Sequence, residues 1–493
     1  MSSASTSPAA VVPGGSGAPL GTARETWIVT WLLVGFLVWV PLQTPVDVLA
    51  YQYLHVPVRV AQSILLIKDV WAAGLFLFLL VRHFREVRFH WFDWFALVFA
   101  VLVGVYSVVP TLLGSRLPAL AVFASARELL VPVELYGLGR LAGYAGVSPV
   151  ALARAFLVVA AGAAVFSVTT FVVFPQSFWT TTYNLLGFMR DVQAISTDTT
   201  LRAASIVAQY GPSGTGLTLR AVGPFTHPVG AAVYYALPMT LVLCAAWARE
   251  FRSRAAILIL AVAVVLFWMA VMTPISRGIW IGLAGSAIVV GVVLHRFRVA
   301  VLTVAFFAAF IWFVPPFSYS VTSAANGTDT NTTAHAGALG HGADVVSDNP
   351  FGLGVGQADV FGQAYSSSAG VESAGVGENM YLAIYTSVGP LGLLAFVIWL
   401  AAILAELLLR VRRSLPQWVA VGVGAGLLAE AAAAMSASTL MRFTTAASVC
   451  LLVGLVISAP SSEFRWPKLW AAFRARAGSV IHRAAALRHS ASN

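Results

Sequence analysis

Apolar runs of about twenty residues recur along almost the whole chain, and few folds accommodate so many of them. They fall near 27–42, 60–81, 92–113, 119–140, 154–174, 227–247, 255–273, 278–295, 299–315, 380–409, 416–436 and 440–459. At about 1.5 Å per residue, a helical run of this length crosses a hydrocarbon core of about 30 Å. Backbone amides there have no water to bond, so each run must satisfy its own hydrogen bonds as a helix. With 59% hydrophobic and only 10% charged residues, the composition also lies outside the soluble range. The expected fold is all-α and polytopic, with about 12 transmembrane helices.

The net charge of +10 could point to nucleic acid, but its distribution does not. Basic residues cluster in alternate connections, "RHFREVRFH", "AREFRSR", "HRFR" and "RVRRSLP", and again in "RWPKLWAAFRAR". Lys and Arg concentrate in cytoplasmic loops, so this pattern puts both termini in the cytoplasm and leaves no nucleic-acid footprint. Residues 1–26, rich in Ser, Ala, Pro and Gly, read as a disordered cytoplasmic tail; 27–460 form the transmembrane domain; 461–493 read as a basic amphipathic tail on the inner leaflet, contacting membrane lipids. Cys244 and Cys450 sit inside apolar runs and read as buried thiols rather than a disulfide.

Two long connections, about 175–226 and 316–379, both fall on the outer side, the second between helices 9 and 10. Connections of that length are usually functional or disordered. In the second, Ser323 to Gly342 reads as flexible and "SDNPFGLGVGQ" as a defined turn. The "GLGVG" within it lacks the strand and helix of a dinucleotide site. His335 and His341, six apart, have poor metal-ligand spacing, and no metal or cofactor is expected.

Ionisable residues inside apolar runs are costly and mark cavities or function. Lys68 and Asp69 interrupt the second run, Arg127 and Glu128 the fourth, and Glu430 the eleventh. The adjacent pairs could simply neutralise each other, and Glu430 could pair with Arg442 at the start of the twelfth. Arg220 and Arg277 have no neighbouring carboxylate in sequence, and both fall near the outer face. A guanidinium there suits a phosphate, which it grips with two parallel hydrogen bonds, although arginines also snorkel to interfaces. Glu378, followed by Asn379, opens the tenth run on the same side. It could cap the helix, or act as general base on a hydroxyl beside bound phosphate.

Three stretches, "RAVGPFTHPVGAAVYYALP", "TPISRGIWIGLAGSAIVVGVV" and "DNPFGLGVGQ…GENMYLAIYTSVGPLGLLAF", together resemble in order the O-antigen ligase and O-antigen polymerase superfamily of membrane glycosyltransferases. "LLIKDVWAAGLFLF" and "FDWFALVFAVLVGVYS" are similar as well, and the resemblance spans roughly residues 60 to 457. It implies about 12 helices, an outward-facing cavity, and transfer of a glycan from an undecaprenyl-diphosphate carrier to an acceptor hydroxyl without nucleotide sugar or metal. Arg220 and Arg277 would hold the diphosphate and Glu378 would act as base. Arg127, Lys68, Asn379 and His227 would complete the substrate-binding set. Ligases typically carry His before that Asn; Glu378 looks more like the polymerase-type relatives. The implied role is polymerisation of lipid-linked repeat units at the outer face of a bacterial cytoplasmic membrane, within a polysaccharide assembly system. The alternative is a transporter of polar or lipid-linked substrates, for which key charges would sit near the midplane.

Overall fold

A computed structural model of the chain describes residues 22–112, 117–175, 178–192, 207–209, 217–248, 253–328, 330–357, 379–411, 415–437, 439–459 and 463–464. Helices occupy all the apolar runs: α1 (Ala23–Tyr53), α2 (Val58–His83), α3 (Asp93–Leu112), α4 (Ala119–Tyr144) and α5 (Pro149–Val173) in the first half. A π-helical turn (Phe178–Thr182), α6 (Leu185–Asp191) and the short antiparallel strands β1 (Val207–Gln209) and β2 (Leu217–Leu219) follow. The second half holds α7 (Pro228–Ala248), α8 (Arg254–Met272), α9 (Arg277–Val293) and α10 (Phe297–Phe313). Then come α11 (Pro315–Ala325), α12 (Thr330–Asp348), α13 (Met380–Leu409), α14 (Gln417–Ala433) and α15 (Phe443–Ser458). A two-residue ladder joins β3 (Arg410–Val411) to β4 (Glu463–Phe464).

Six helices, α1, α2, α5, α7, α8 and α13, are long and apolar enough to cross a membrane, and α10 with α11, bent by 87°, make a seventh if taken as one span. The chain is thus a helical, multi-pass membrane protein. The remaining apolar helices are shorter, apart from α4, which carries Arg127, Glu128, Glu134 and Arg140 along its length. The amino-terminal helix begins at Ala23 rather than after residue 26, because the Thr22 hydroxyl accepts the Glu25 amide (3.2 Å) and caps it.

Small residues set the packing, as expected where lipid tails are as apolar as leucine. A Cβ on Gly139 of α4 would fall on the Leu451 carbonyl of α15, and one on Gly454 would fall on the Tyr136 carbonyl, so these two backbones touch directly. The Ala- and Gly-rich α14 is buried along nearly its whole length. It lies between α7 and α9, where Gly426 faces Leu237 and Gly282 faces Ala429.

Antiparallel runs bring the starts of α2, α4, α7, α9, α13 and α15 to one end of the bundle. The opposite end is tied by ion pairs: Arg140 to Asp93 (2.9 and 3.1 Å), and the buried His83 to Glu25 (3.0 Å) and Glu86 (2.6 Å). Both cysteines are free and buried, as expected.

The long connection after α10 departs from expectation. Ser323 to Gly342 is largely helical, in α11 and α12, as its alanine content allows. The following "SDNPFGLGVGQ" is the tight turn its glycines suggest, with φ of 85° at Gly352, 105° at Gly354 and 92° at Gly356. It docks where α13 is broken at Gly389 (φ 71°) and Pro390. Leu353 donates its amide to the Thr386 carbonyl (2.6 Å) and Val355 to that of Tyr106 on α3 (3.1 Å).

Candidate functional site: a basic chamber at one end of the bundle

β2 leads directly into Arg220, which is 8% exposed. Its Nε donates to the Pro274 carbonyl (2.8 Å) and its Nη2 to that of Ile275 (3.4 Å), while the Ala221 amide donates to Thr273 (3.1 Å). The turn between α8 and α9 is therefore strapped to Arg220. Ile275 sits there at φ 51°, a left-handed conformation that a β-branched residue adopts only when its surroundings compel it. Two residues later Arg277 opens α9, and its Nη1 donates to the Ser320 carbonyl on α11 (2.8 Å). One strained turn thus fixes both arginines singled out in the sequence.

His227 sits in the turn before α7, and its Nδ1 accepts the Val229 amide (3.2 Å). Burial, and then the Arg442 and Arg220 guanidiniums, hold this imidazole well below its ordinary range. The ring is neutral, with its proton on Nε2, which faces away from the backbone bond. Arg442, half-buried at the cap of α15, joins the same group. Its expected pairing with Glu430 is not formed. Glu430 is fully buried and both its carboxylate oxygens lack a hydrogen-bond partner among the described residues. The connection from α14 to α15 turns Arg442 toward His227, while Glu430 faces the α14–α15 interior within electrostatic reach of Cys450.

Asn379 is placed at this end too, but as a brace. Its Oδ1 accepts the Tyr381 (2.9 Å) and Leu382 (3.1 Å) amides, capping α13, and its Nδ2 donates to the Met435 carbonyl (2.8 Å). The role expected for Asn379 in substrate binding is therefore replaced by a structural one. The corner it grips, Ala433–Ser436, is also where Gly278 packs beside Arg277. The starts of α9 and α13 consequently share one anchor, and His335 lines a small pocket over it with Asn379, Met435 and Ser436. Glu378, the expected base, lies outside the described residues.

Lys68 and Arg127 meet in a neighbouring group. Arg127 gives both Nε (2.7 Å) and Nη2 to one Asp69 oxygen. The pairing therefore runs between α4 and α2; Lys68 lies 3.7 Å from Asp69 and donates to the Leu65 carbonyl (2.7 Å). Both cations stand over the Phe443 ring, at 5.5 and 5.9 Å from its centre, a favourable cation–π arrangement. Phe443 follows Arg442 directly, so the two groups meet at this step. Together they form an arc of five cationic side chains and a neutral imidazole, suited to an extended anion. Among the described residues no cluster of His, Cys, Asp and Glu could hold a metal ion. Neither a comparison with protein-family models nor one with curated proteins finds a match for this chain.

Proposed function

We propose that the protein is an integral-membrane glycosyltransferase that polymerises undecaprenyl-diphosphate-linked repeat units at the outer face of a bacterial cytoplasmic membrane, for surface polysaccharide. In this reading all 12 apolar runs span, both termini are cytoplasmic, and the chamber opens outward. The observation that carries it is the Arg220 guanidinium clasping the turn that launches Arg277. Two cations are held at one end of the bundle before any ligand arrives, with His227 and Arg442 beside them.

The chemistry follows from that placement. The acceptor hydroxyl attacks the anomeric carbon, the carbon–oxygen bond to the diphosphate breaks, and the electron pair leaves on the phosphate. Fixed guanidiniums stabilise the growing phosphate charge more in the transition state than in the ground state, which accelerates the step. Glu378 takes the hydroxyl proton, and direct displacement inverts the anomeric centre. The transporter reading draws on the break at Gly389–Pro390 in α13 and on Lys68, Asp69 and Arg127, which lie within helices.

The protein in lipid nanodiscs, given lipid-linked oligosaccharide, is expected to build a ladder of longer glycans. Arg277→Ala should slow that growth by about 100-fold or more, the scale of losing one charge-stabilising donor, with insertion and melting unchanged. Movement of the carrier without any lengthening would select the transporter.

A further inference from the structure

A second polar assembly lies between α1, α2 and α4, and the chemistry above does not use it. Trp39, Gln43 and Asp47 follow one another at intervals of four along one face of α1. Asp47 has no exposed surface and Gln43 is 2% exposed. Yet both Asp47 carboxylate oxygens, the Gln43 Oε1 and the Trp39 Nε1 lack hydrogen-bond partners. Gln43 Nε2 and Lys68 Nζ donate to the same Leu65 carbonyl (2.9 and 2.7 Å), which fixes this face against α2. Lys68 lies within electrostatic reach of Asp47 and Asp69. On α4, Glu134 is within reach of Asp69 and Arg127; its Oε1 and the Asp69 Oδ2 are also without hydrogen bonds. Tyr183, from the turn above, approaches Asp47 with its hydroxyl unbonded.

A buried polar atom without a partner suffers the full loss of its hydration, so native proteins keep few and each needs a reason. Here five acceptor oxygens converge, against two unbonded donors. The missing occupant must bring hydrogen-bond donors. It need not bring charge, because Lys68 and Arg127 already face the carboxylates. A metal ion does not suit the geometry of the described residues. A polyhydroxylated ring does: each hydroxyl donates one hydrogen bond and can accept another, matching oxygens alongside the Tyr183 hydroxyl and the Trp39 N–H. The assembly opens beside Asp69 and Arg127, whose side chains are 17% and 24% exposed, and Arg127 stands over Phe443 next to the basic chamber.

We propose that Asp47, Gln43, Asp69 and Glu134 form a sugar-binding subsite that accepts hydrogen bonds from the glycan hydroxyls while the arginine chamber holds the diphosphate. This rests on the glycosyltransferase reading and assigns the sugar end of the same substrate. The test measures binding to the full-length protein in nanodiscs with two probes: undecaprenyl diphosphate alone, and the same carrier bearing oligosaccharide extracted from the producing cells. The loaded carrier should bind about tenfold more tightly, the scale of a charge-assisted hydrogen bond. Asp47→Asn and Glu134→Gln, both nearly isosteric, should each remove most of that increment and leave the bare carrier within about twofold. Wild-type protein that holds both carriers equally, or variants that keep the full increment, would overturn the subsite and leave ordered water as occupant. Equal weakening toward both probes would make the cluster structural, and overturn it too. Failure of the wild type to bind either carrier would instead bring down the glycosyltransferase reading, and the subsite with it.

Discussion

Arg442 is the residue whose role changed most between sequence and structure. In sequence it stands twelve positions after Glu430, a separation that invites an ion pair across a short turn. The way that turn points is set by packing of the α14–α15 connection, which no local pattern encodes. Arg442 instead shares the field of Arg220 and His227. Arg442→Gln should weaken binding of undecaprenyl diphosphate by about 2 kcal/mol, roughly 30-fold, as expected for a charge-assisted bond. Calorimetry on nanodiscs checks it; an affinity within twofold of wild type would return Arg442 to a capping role. His227 makes a second prediction. Its imidazole is pushed below its unfolded value, so the unfolded chain binds the proton first. Stability is then unaffected above about pH 6.5 and falls as the pH drops below it. His227→Gln should flatten that acid slope in thermal melts, and an unchanged slope would assign it to other groups. Arg220 and Arg277 were legible because a cation in an apolar context is conspicuous by its cost. Asp47 was not: Pro41 and Pro45 make "VPLQTPVD" read as the end of a span, whereas α1 continues through both prolines to Tyr53 and buries the carboxylate.

The apolar runs located the bundle helices to within a few residues because membrane helices announce themselves through hydropathy alone. The helices α11 and α12 carry no comparable signal. Their small, polar residues lack an apolar stripe, and only alanine content hints at helix. The contact between α4 and α15 was equally silent, since glycine spacing says which helix can approach closely but not which partner it meets. That contact positions the site, because α4 carries Arg127 and α15 begins with Phe443, under the same ring cluster. Gly454→Leu should therefore act at two levels. Forcing a side chain against the Tyr136 carbonyl should destabilise the protein by about 1–3 kcal/mol, the usual cost of overpacking. It should also push Phe443 away from Lys68 and Arg127 and lower carrier affinity. Melting in detergent and carrier binding measure the two effects. Loss of stability with full affinity would mean that the chamber does not depend on this seam.

The whole molecule has two unlike ends. One gathers Arg82, His83, Glu25, Arg140 and Asp93 into ion pairs; the other gathers the starts of α7, α9, α13 and α15 around the basic chamber. Sequence alone separated these ends, because the cationic connections alternate with the long polar ones. The bias of Lys and Arg toward the cytoplasm places the ion-paired end inside and the chamber outside. That orientation matters chemically: a carrier loaded on the inner leaflet and flipped across presents its diphosphate only to an outward chamber. Cys244 and Cys450 are buried, so the wild-type protein gives little background to a thiol probe. A single cysteine at the exposed Thr328, beside α11, should react on intact cells with a membrane-impermeant maleimide. One at the exposed Ser253, before α8, should react only after permeabilisation. The reverse pattern would turn the chamber toward the cytosol, where activated nucleotide sugars are made, and a lipid-diphosphate donor on the outer leaflet could no longer reach Arg220 and Arg277.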